Sequence, residues 1–335
     1  MRHHRLLLLS SIISLMMLAT PANAVGKHGL EDFDSPWPAE TYSFETQQQT
    51  LDMRYMVAEP DEPSGKAALL LHGKNFCGHY WESTAEFLVE HGYRVIIPEQ
   101  IGFCRSSLPE RYQFSFHQLA DNTARLLDEL DVETVDVIGH SMGGMLATRF
   151  ALMFPNRADQ LVLLNPIGLE DWLAEGVPWS GIDALYQSQQ AQDLEGIIEY
   201  QKQAYYDGHW NEDYEYWARM LAATYEGPRA EQVAWNHALT ADMVMTQPVL
   251  YEFPRLEVPT GLIIGLRDRT APGRDAADPE IAERLGHYPR LGKEAADAIP
   301  DAELIEFDDV GHMPQFEAPD RYRAALSDIL GLTTP

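Results

Sequence analysis

Short, nearly all-apolar runs alternate along the chain with longer stretches whose apolar positions recur every three or four residues. The runs are Ala67 to Leu71, Arg94 to Pro98, Val135 to Ile138, Leu161 to Leu164, Gly261 to Ile264 and Glu303 to Phe307. Several are continuously apolar, as a strand must be when both of its faces are covered. Between them, Trp81 to His91 carries Trp81, Phe87 and Leu88 at helical spacing and stops at Gly92, a residue suited to the left-handed turn that ends helices. Ser115 and Gln118 form a capping-box pattern ahead of a helix with Leu119, Leu126, Leu127 and Leu130 on one face. Residues 320 to 330 read as a closing helix.

Two further strand-like stretches, Thr41 to Thr46 and Thr50 to Val57, come first and predict a hairpin at the sheet edge. The residues ahead of them, 25 to 39, contain Pro36, Trp37 and Pro38 and read as an irregular lead-in. This alternation predicts an α/β fold, with a mostly parallel sheet of about eight strands and helices on both faces.

One interval breaks the rhythm. From about Glu170 to Phe253 no strong strand occurs, while aromatics including Trp172, Trp179, Tyr205, Tyr206, Trp210 and Trp217 crowd together. This predicts a helical insertion, a cap over residues 170–253, after the strand Leu161 to Leu164. Residues 25–169 and 254–335 then form the two parts of the core. Most of the cap's aromatics are expected to pack within it.

The N-terminus changes where the protein is expected to act. Arg2 and Arg5 precede an apolar run from Leu6 to Leu18, and Ala22-Asn23-Ala24 has the small-residue pattern of a signal-peptidase site. Residues 1–24 are therefore expected to be a signal peptide cleaved before Val25, delivering a periplasmic or secreted protein. The run is shorter than the roughly 20 apolar residues that span a bilayer, so no stable membrane insertion is expected afterwards.

The whole chain of 335 residues has 24 Lys and Arg against 52 Asp and Glu, a formal charge of −28. Losing Arg2 and Arg5 with the leader leaves 22 against 52, or −30. Nucleic acid is excluded as a partner, because phosphates are bound through clustered cations. A small-molecule substrate is expected. The two cysteines, Cys77 and Cys104, can form a disulfide in an oxidising compartment or stay as two buried thiols.

The chemical signal is Gly139-His140-Ser141-Met142-Gly143, with the apolar strand directly before it and Leu146, Ala147 and Phe150 after it. A bare Gly-x-Ser-x-Gly arises by chance in roughly one chain in ten of this length. The strand before and helix after it are much rarer together, and they are what a nucleophile elbow requires. The glycines are expected to let the backbone through a strained turn, with the helix N-terminus favouring developing negative charge.

A serine hydroxyl needs a base. His312, in Asp309-Val310-Gly311-His312-Met313-Pro314 after the last apolar run, is the candidate. His72, beside Gly73, is expected to hold its loop together, and His140 to pack or line a pocket. Asp268, just past the strand Gly261 to Ile264, is the candidate to accept the imidazole N–H and fix its tautomer. The strand Leu161 to Leu164 ends in Asn165, so no acid stands at that alternative place. Oxyanion donors are expected at the backbone N–H groups of Met142 and, from His72-Gly73-Lys74-Asn75, of Lys74. Histidines and acids do not recur at metal-ligand spacing, and this chemistry needs no cofactor.

With the order Ser141, Asp268, His312, the elbow and the His72-Gly73 loop, the chain resembles the α/β-hydrolase superfamily over residues 67–330. It looks most like the capped branch of carboxylesterases, carbon–carbon bond hydrolases, proline iminopeptidases and epoxide hydrolases. The stretch Pro98 to Ser107 resembles that branch's loop after the fourth strand, with Glu99 where an aspartate is usual; this departure is expected to affect loop packing. The resemblance also implies that Ser141, where epoxide hydrolases and haloalkane dehalogenases carry an aspartate, excludes their alkyl-ester chemistry.

A carboxylic ester hydrolase with an acyl-Ser141 intermediate is the leading expectation. A proline-iminopeptidase-like aminopeptidase comes second, because the cap carries Glu170, Glu175, Asp193, Glu199, Asp207, Glu212 and Asp213, which could hold an ammonium. Carbon–carbon hydrolysis comes third, since the cap offers few cations for an anionic substrate. A binding protein that keeps the fold without catalysis is the alternative of a different class.

Overall fold

The computed structural model describes residues 29–332; the expected signal peptide and its cleavage point before Val25 lie outside them. The eight-stranded sheet runs in the order β1-β2-β4-β3-β5-β6-β7-β8. Strands β1 (Ala39–Thr46) and β2 (Gln49–Ala58) form the expected antiparallel hairpin at one edge. Gln47 and Gln48 both take positive φ in its two-residue turn, which matches the twist of the flanking strands without a glycine. β2 pairs antiparallel with β4 (Arg94–Pro98), and all remaining pairs are parallel, through β3 (Ala67–Leu71), β5 (Val135–His140), β6 (Ala158–Leu164), β7 (Thr260–Gly265) and β8 (Ala302–Phe307).

Why the runs are continuously apolar is visible in the packing. Leu69, Leu71, Val135, Val137, Leu161 and Leu163 enter one core, while Leu70, Val95, Ile97, Ile138, Val162 and Leu164 enter the other. Successive side chains point to opposite faces and both faces are covered, so neither parity can be polar. β6 starts earlier than its apolar run because Asp159 and Gln160 are polar, yet Gln160 still pairs with Asp136 of β5.

Helices α1 (Glu82–Glu90), α2 (Phe116–Glu129) and α3 (Met142–Met153) complete the first half. α1 ends before Gly92, whose φ is +81°, and Ser115 Oγ accepts the Gln118 N–H at the head of α2. The capping box is one-sided, because the Gln118 side chain turns to Asn122 Oδ1. Between β6 and β7 run α4 (Ile182–Gln190), α5 (Leu194–Ala204), α6 (Glu212–Glu226) and α7 (Ala230–Thr246). The lead-in is less irregular than expected: Gly29–Asp32 is a 3-10 turn against α6, held by Arg105 donating to the Leu30 and Phe33 carbonyls.

After β7 come α8 (Pro279–Arg284) and α9 (Tyr288–Ala298), and after β8 come α10 (Pro314–Glu317) and α11 (Pro319–Leu330). The parallel strands all end on one edge of the sheet, where the loops after β3, β5, β7 and β8 carry Lys74, Ser141, Asp268 and His312, with Met142 opening α3. Among the described residues no helix is long and apolar enough to cross a membrane.

Candidate active site

Ser141 joins β5 to α3 with φ +58° and ψ −124°, a conformation costing a non-glycine residue on the order of 1–3 kcal/mol. The strain thus sits on the serine, and the flanking glycines serve clearance instead of torsion. A Cβ on Gly139 would overlap the Gly143 carbonyl, and one on Gly143 would overlap the Leu71 carbonyl. Close approach of α3 to the ends of β3 and β5 therefore requires both glycines.

Asp268 and His312 are fully buried, and the His312 Nδ1 lies 2.5 Å from Asp268 Oδ2. An ionised carboxylate accepts only, so Nδ1 carries the proton and Nε2 presents a lone pair. Nε2 is buried and has no hydrogen-bond partner among the described residues. Asp268 is itself held: Asn165 Nδ2 donates to Oδ2 at 2.9 Å and the Thr270 N–H donates to Oδ1 at 2.8 Å. Asn165, noticed in the sequence as a missing acid, supports the acid at the other position.

His140 does more than pack. Its Nε2 lies 2.9 Å from the His312 carbonyl, so it is the donor, and its Nδ1 faces the Tyr80 hydroxyl at 3.2 Å. That hydroxyl also accepts the Gly73 N–H at 3.0 Å. Gly73, Tyr80, His140 and His312 thus form one chain from the loop after β3 to the loop after β8. Burial first, then His312, pushes the His140 pKa well below its usual value, so it stays neutral and keeps the required tautomer. His72 holds its loop as expected: Nδ1 donates to the Gly73 carbonyl and Nε2 accepts the Gln100 N–H, with burial lowering its pKa to about 4.

The cap supplies Tyr205, just past α5. Its ring stacks on His312 with centroids 4.4 Å apart, its carbonyl accepts the His312 N–H at 2.8 Å, and its hydroxyl accepts Asn75 Nδ2 at 2.8 Å. The neighbouring Ala204 carbonyl accepts the Arg269 N–H at 2.9 Å, one residue past Asp268. Gly311 has to be glycine because a Cβ there would strike the Tyr205 carbonyl. Behind His312, Glu317 accepts the N–H groups of Gly311 and Met313 at 3.0 and 3.1 Å. Burial raises its pKa to about 7.

Lys74 sits on the loop after β3 and Met142 at the head of α3 directly after Ser141, and the Lys74 N–H donates to no backbone group among the described residues. Cys77 and Cys104 form a disulfide, with Cα atoms 5.7 Å apart, tying the loop after β3 to the loop after β4. They cluster with the Glu99 carboxylate, but bonded sulfurs offer no thiolate to a metal. Glu99 accepts the Arg105 N–H at 2.9 Å and lies 3.7 Å from His79, so its role is to brace that loop.

A matching family model covers residues 68–319 and describes the α/β-hydrolase fold. The chain belongs to that family. A solved probable hydrolytic enzyme from Pseudomonas aeruginosa PAO1 is 50% identical, with a TM-score of 0.90 over 91% of this chain and 99% of that one. A 2-hydroxy-6-oxo-6-phenylhexa-2,4-dienoate hydrolase from Burkholderia cepacia is 26% identical over 81% of this chain and 89% of its own length. A 2-hydroxy-6-oxo-2,4-heptadienoate hydrolase from Pseudomonas putida F1 is 31% identical, but the match spans 35% of this chain and 43% of that relative.

Proposed function

We propose that this protein is a serine hydrolase working through an acyl-Ser141 intermediate, with a carboxylic ester as the leading substrate class. The supporting observation is the buried, unpartnered Nε2 of an imidazole whose Nδ1 is fixed by Asp268. Nε2 takes the Ser141 proton as Oγ attacks the substrate carbonyl carbon, and Asp268 stabilises the imidazolium. The carbonyl π pair becomes the oxyanion, received by the N–H groups of Met142 at the head of α3 and of Lys74 on the loop after β3. Collapse expels the alcohol, which takes the proton from Nε2. Water then repeats the sequence and releases the acid.

The aminopeptidase reading has less support. Among the described residues no carboxylate lines the cavity beside Lys74. Glu170 accepts the Gly286 N–H, Asp193 caps α5 and Asp207 faces Arg267. Cleavage of an activated carbon–carbon bond becomes the second reading, favoured by the relative from Burkholderia cepacia named for a dienoate. We further propose that the cap comprises residues 170–253 and that the protein acts in the periplasm or outside the cell, where a disulfide persists.

Release of p-nitrophenol from short-chain esters tests the hydrolase reading. Ser141→Ala is expected to lower turnover at least about 10³-fold. Equal rates for the variant and the native protein would refute the reading and favour a binding protein on this fold.

A further inference from the structure

The loop after β3, whose Gly73 packs against the Ser141 side chain, also borders a cavity that it shares with the disulfide and α6. Its walls are apolar, built from Phe76, Phe103, Trp217, Met220 and Leu221. Its polar lining is Lys74, Asn75, Thr224 and His237. Asn75 Nδ2 is committed to the Tyr205 hydroxyl and Thr224 Oγ1 to the Leu221 carbonyl. Lys74 and His237 remain.

His237 brings no charge. Its Nδ1 lies 2.7 Å from the Tyr225 hydroxyl, whose proton goes to Gln189 Oε1 at 2.6 Å, so Nδ1 is the donor and Nε2 is unprotonated. Burial first, then the charges of Lys74 and His72, pushes its pKa well below the usual value. Among the described residues of the lining, Lys74 is the one formal cation and no carboxylate accompanies it. Burial alone moves its pKa, down to about 7, with no nearby acid offsetting the effect. Lys74 as a residue is half-buried, and an ammonium drawn partly out of water without a counter-ion is relieved by losing its proton or by gaining an anion. The surrounding molecule, at −28, holds anions away in general, so a lone cation at this point gives the cavity a local preference opposite to the bulk field.

We propose that the Lys74 side chain is the anion-binding group of this cavity, holding the carboxylate of an acidic substrate with an apolar body. The proposal rests on the serine-hydrolase reading for what happens next, since it places that substrate's reacting carbonyl at Ser141. It gives Lys74 two separate duties, the backbone N–H at the oxyanion and the side chain at a remote carboxylate. The free space is now about 10 Å³, roughly one water, so an occupant must part α6 from the loop after β3.

The test uses p-nitrophenyl hydrogen glutarate and 4-butanoyloxybenzoate, which carry the carboxylate on the acyl and leaving sides, each against its own methyl ester. The quantity read is the ratio of kcat/KM for acid over methyl ester, in which titration of the triad cancels. For at least one pair the native protein is expected to give a ratio of ten or more at pH 6, declining by pH 9. Lys74→Met should lower the ratio at least tenfold, while Lys74→Arg keeps it and removes its decline with pH. A second arm measures calorimetric binding of 4-phenylbutanoate and 4-phenylbutanamide to Ser141→Ala, with and without Lys74→Met. Ratios at or below one for both pairs, or a preference for the carboxylate that survives Lys74→Met in either arm, would overturn the proposal. Lys74-dependent binding of the carboxylate with no turnover of any ester would uphold the anion site and sink the hydrolase reading instead.

Discussion

Glu317 shows how a single residue connects the site to pH. Its carboxylate accepts N–H groups on both sides of His312, and burial raises its pKa to about 7. A carboxyl bound more tightly to its proton in the folded state than in the unfolded chain, where the value is near 4.3, contributes most stability below that lower value. The contribution is lost as pH rises through about 7. Glu317→Gln is permanently neutral and keeps an acceptor for the loop. The melting temperature of the variant minus that of the native protein should therefore increase from pH 5 to pH 8, and parallel melting curves would contradict this. The pairing of Asp268 with His312 was legible because each follows an apolar run in a recognisable local pattern, as Ser141 also does. Asn165, His140 and Glu317 were not read as supports, because their roles depend on hydrogen bonds to loops that only the folded sheet brings together. The His72-Gly73-Lys74-Asn75 loop stands out in the sequence, but nothing there says that Lys74 lines a cavity with no acid among its described residues.

Elements divide the cap into a fixed part and a wall. The end of α5 is bonded to the His312 and Arg269 loops through Tyr205 and Ala204, so it belongs mechanically to the site. α6, by contrast, reaches the cavity through Trp217, Met220 and Leu221, and Trp217 stacks on Phe316 with centroids 5.2 Å apart. Truncating the wall should widen the cavity. Trp217→Ala is expected to shift the preferred p-nitrophenyl ester towards longer acyl chains by two or more carbons on the order of one large side chain's length, as read by a chain-length series of kcat/KM. An unchanged series would show that substrate lies elsewhere. The parallel strands were legible from their apolar runs, whereas the aromatics of the cap were not separable by pattern. Tyr206 stacks on Tyr214 within the cap, while its neighbour Tyr205 covers the base, and no periodicity distinguishes the two.

At the scale of the whole molecule, the disulfide and the charge act through the unfolded chain and the solvent. Cys77 and Cys104 are separated by 27 positions. Closing a loop of that size contributes roughly 3 to 4 kcal/mol in the chain-entropy account. Reduction under mild conditions is therefore expected to lower the melting temperature by roughly 5–10 °C and to weaken activity, because the bond ties the loop after β3 to the loop after β4. A melting curve indifferent to dithiothreitol would contradict this. The sequence left the pairing open, since spacing alone does not show that two loops from different strands meet. The charge was legible at once and bears on partners more than on fold.

In the proposed function one hydroxyl, at residue 141, becomes acylated because His312 removes its proton. Peptide mapping by mass spectrometry after brief exposure to a fluorophosphonate measures this most directly. A single adduct is expected on the peptide containing Ser141, lost in Ser141→Ala and slowed at least about 10²-fold in His312→Ala. An unlabelled Ser141 in folded protein, or labelling that proceeds equally fast without the imidazole, would contradict it.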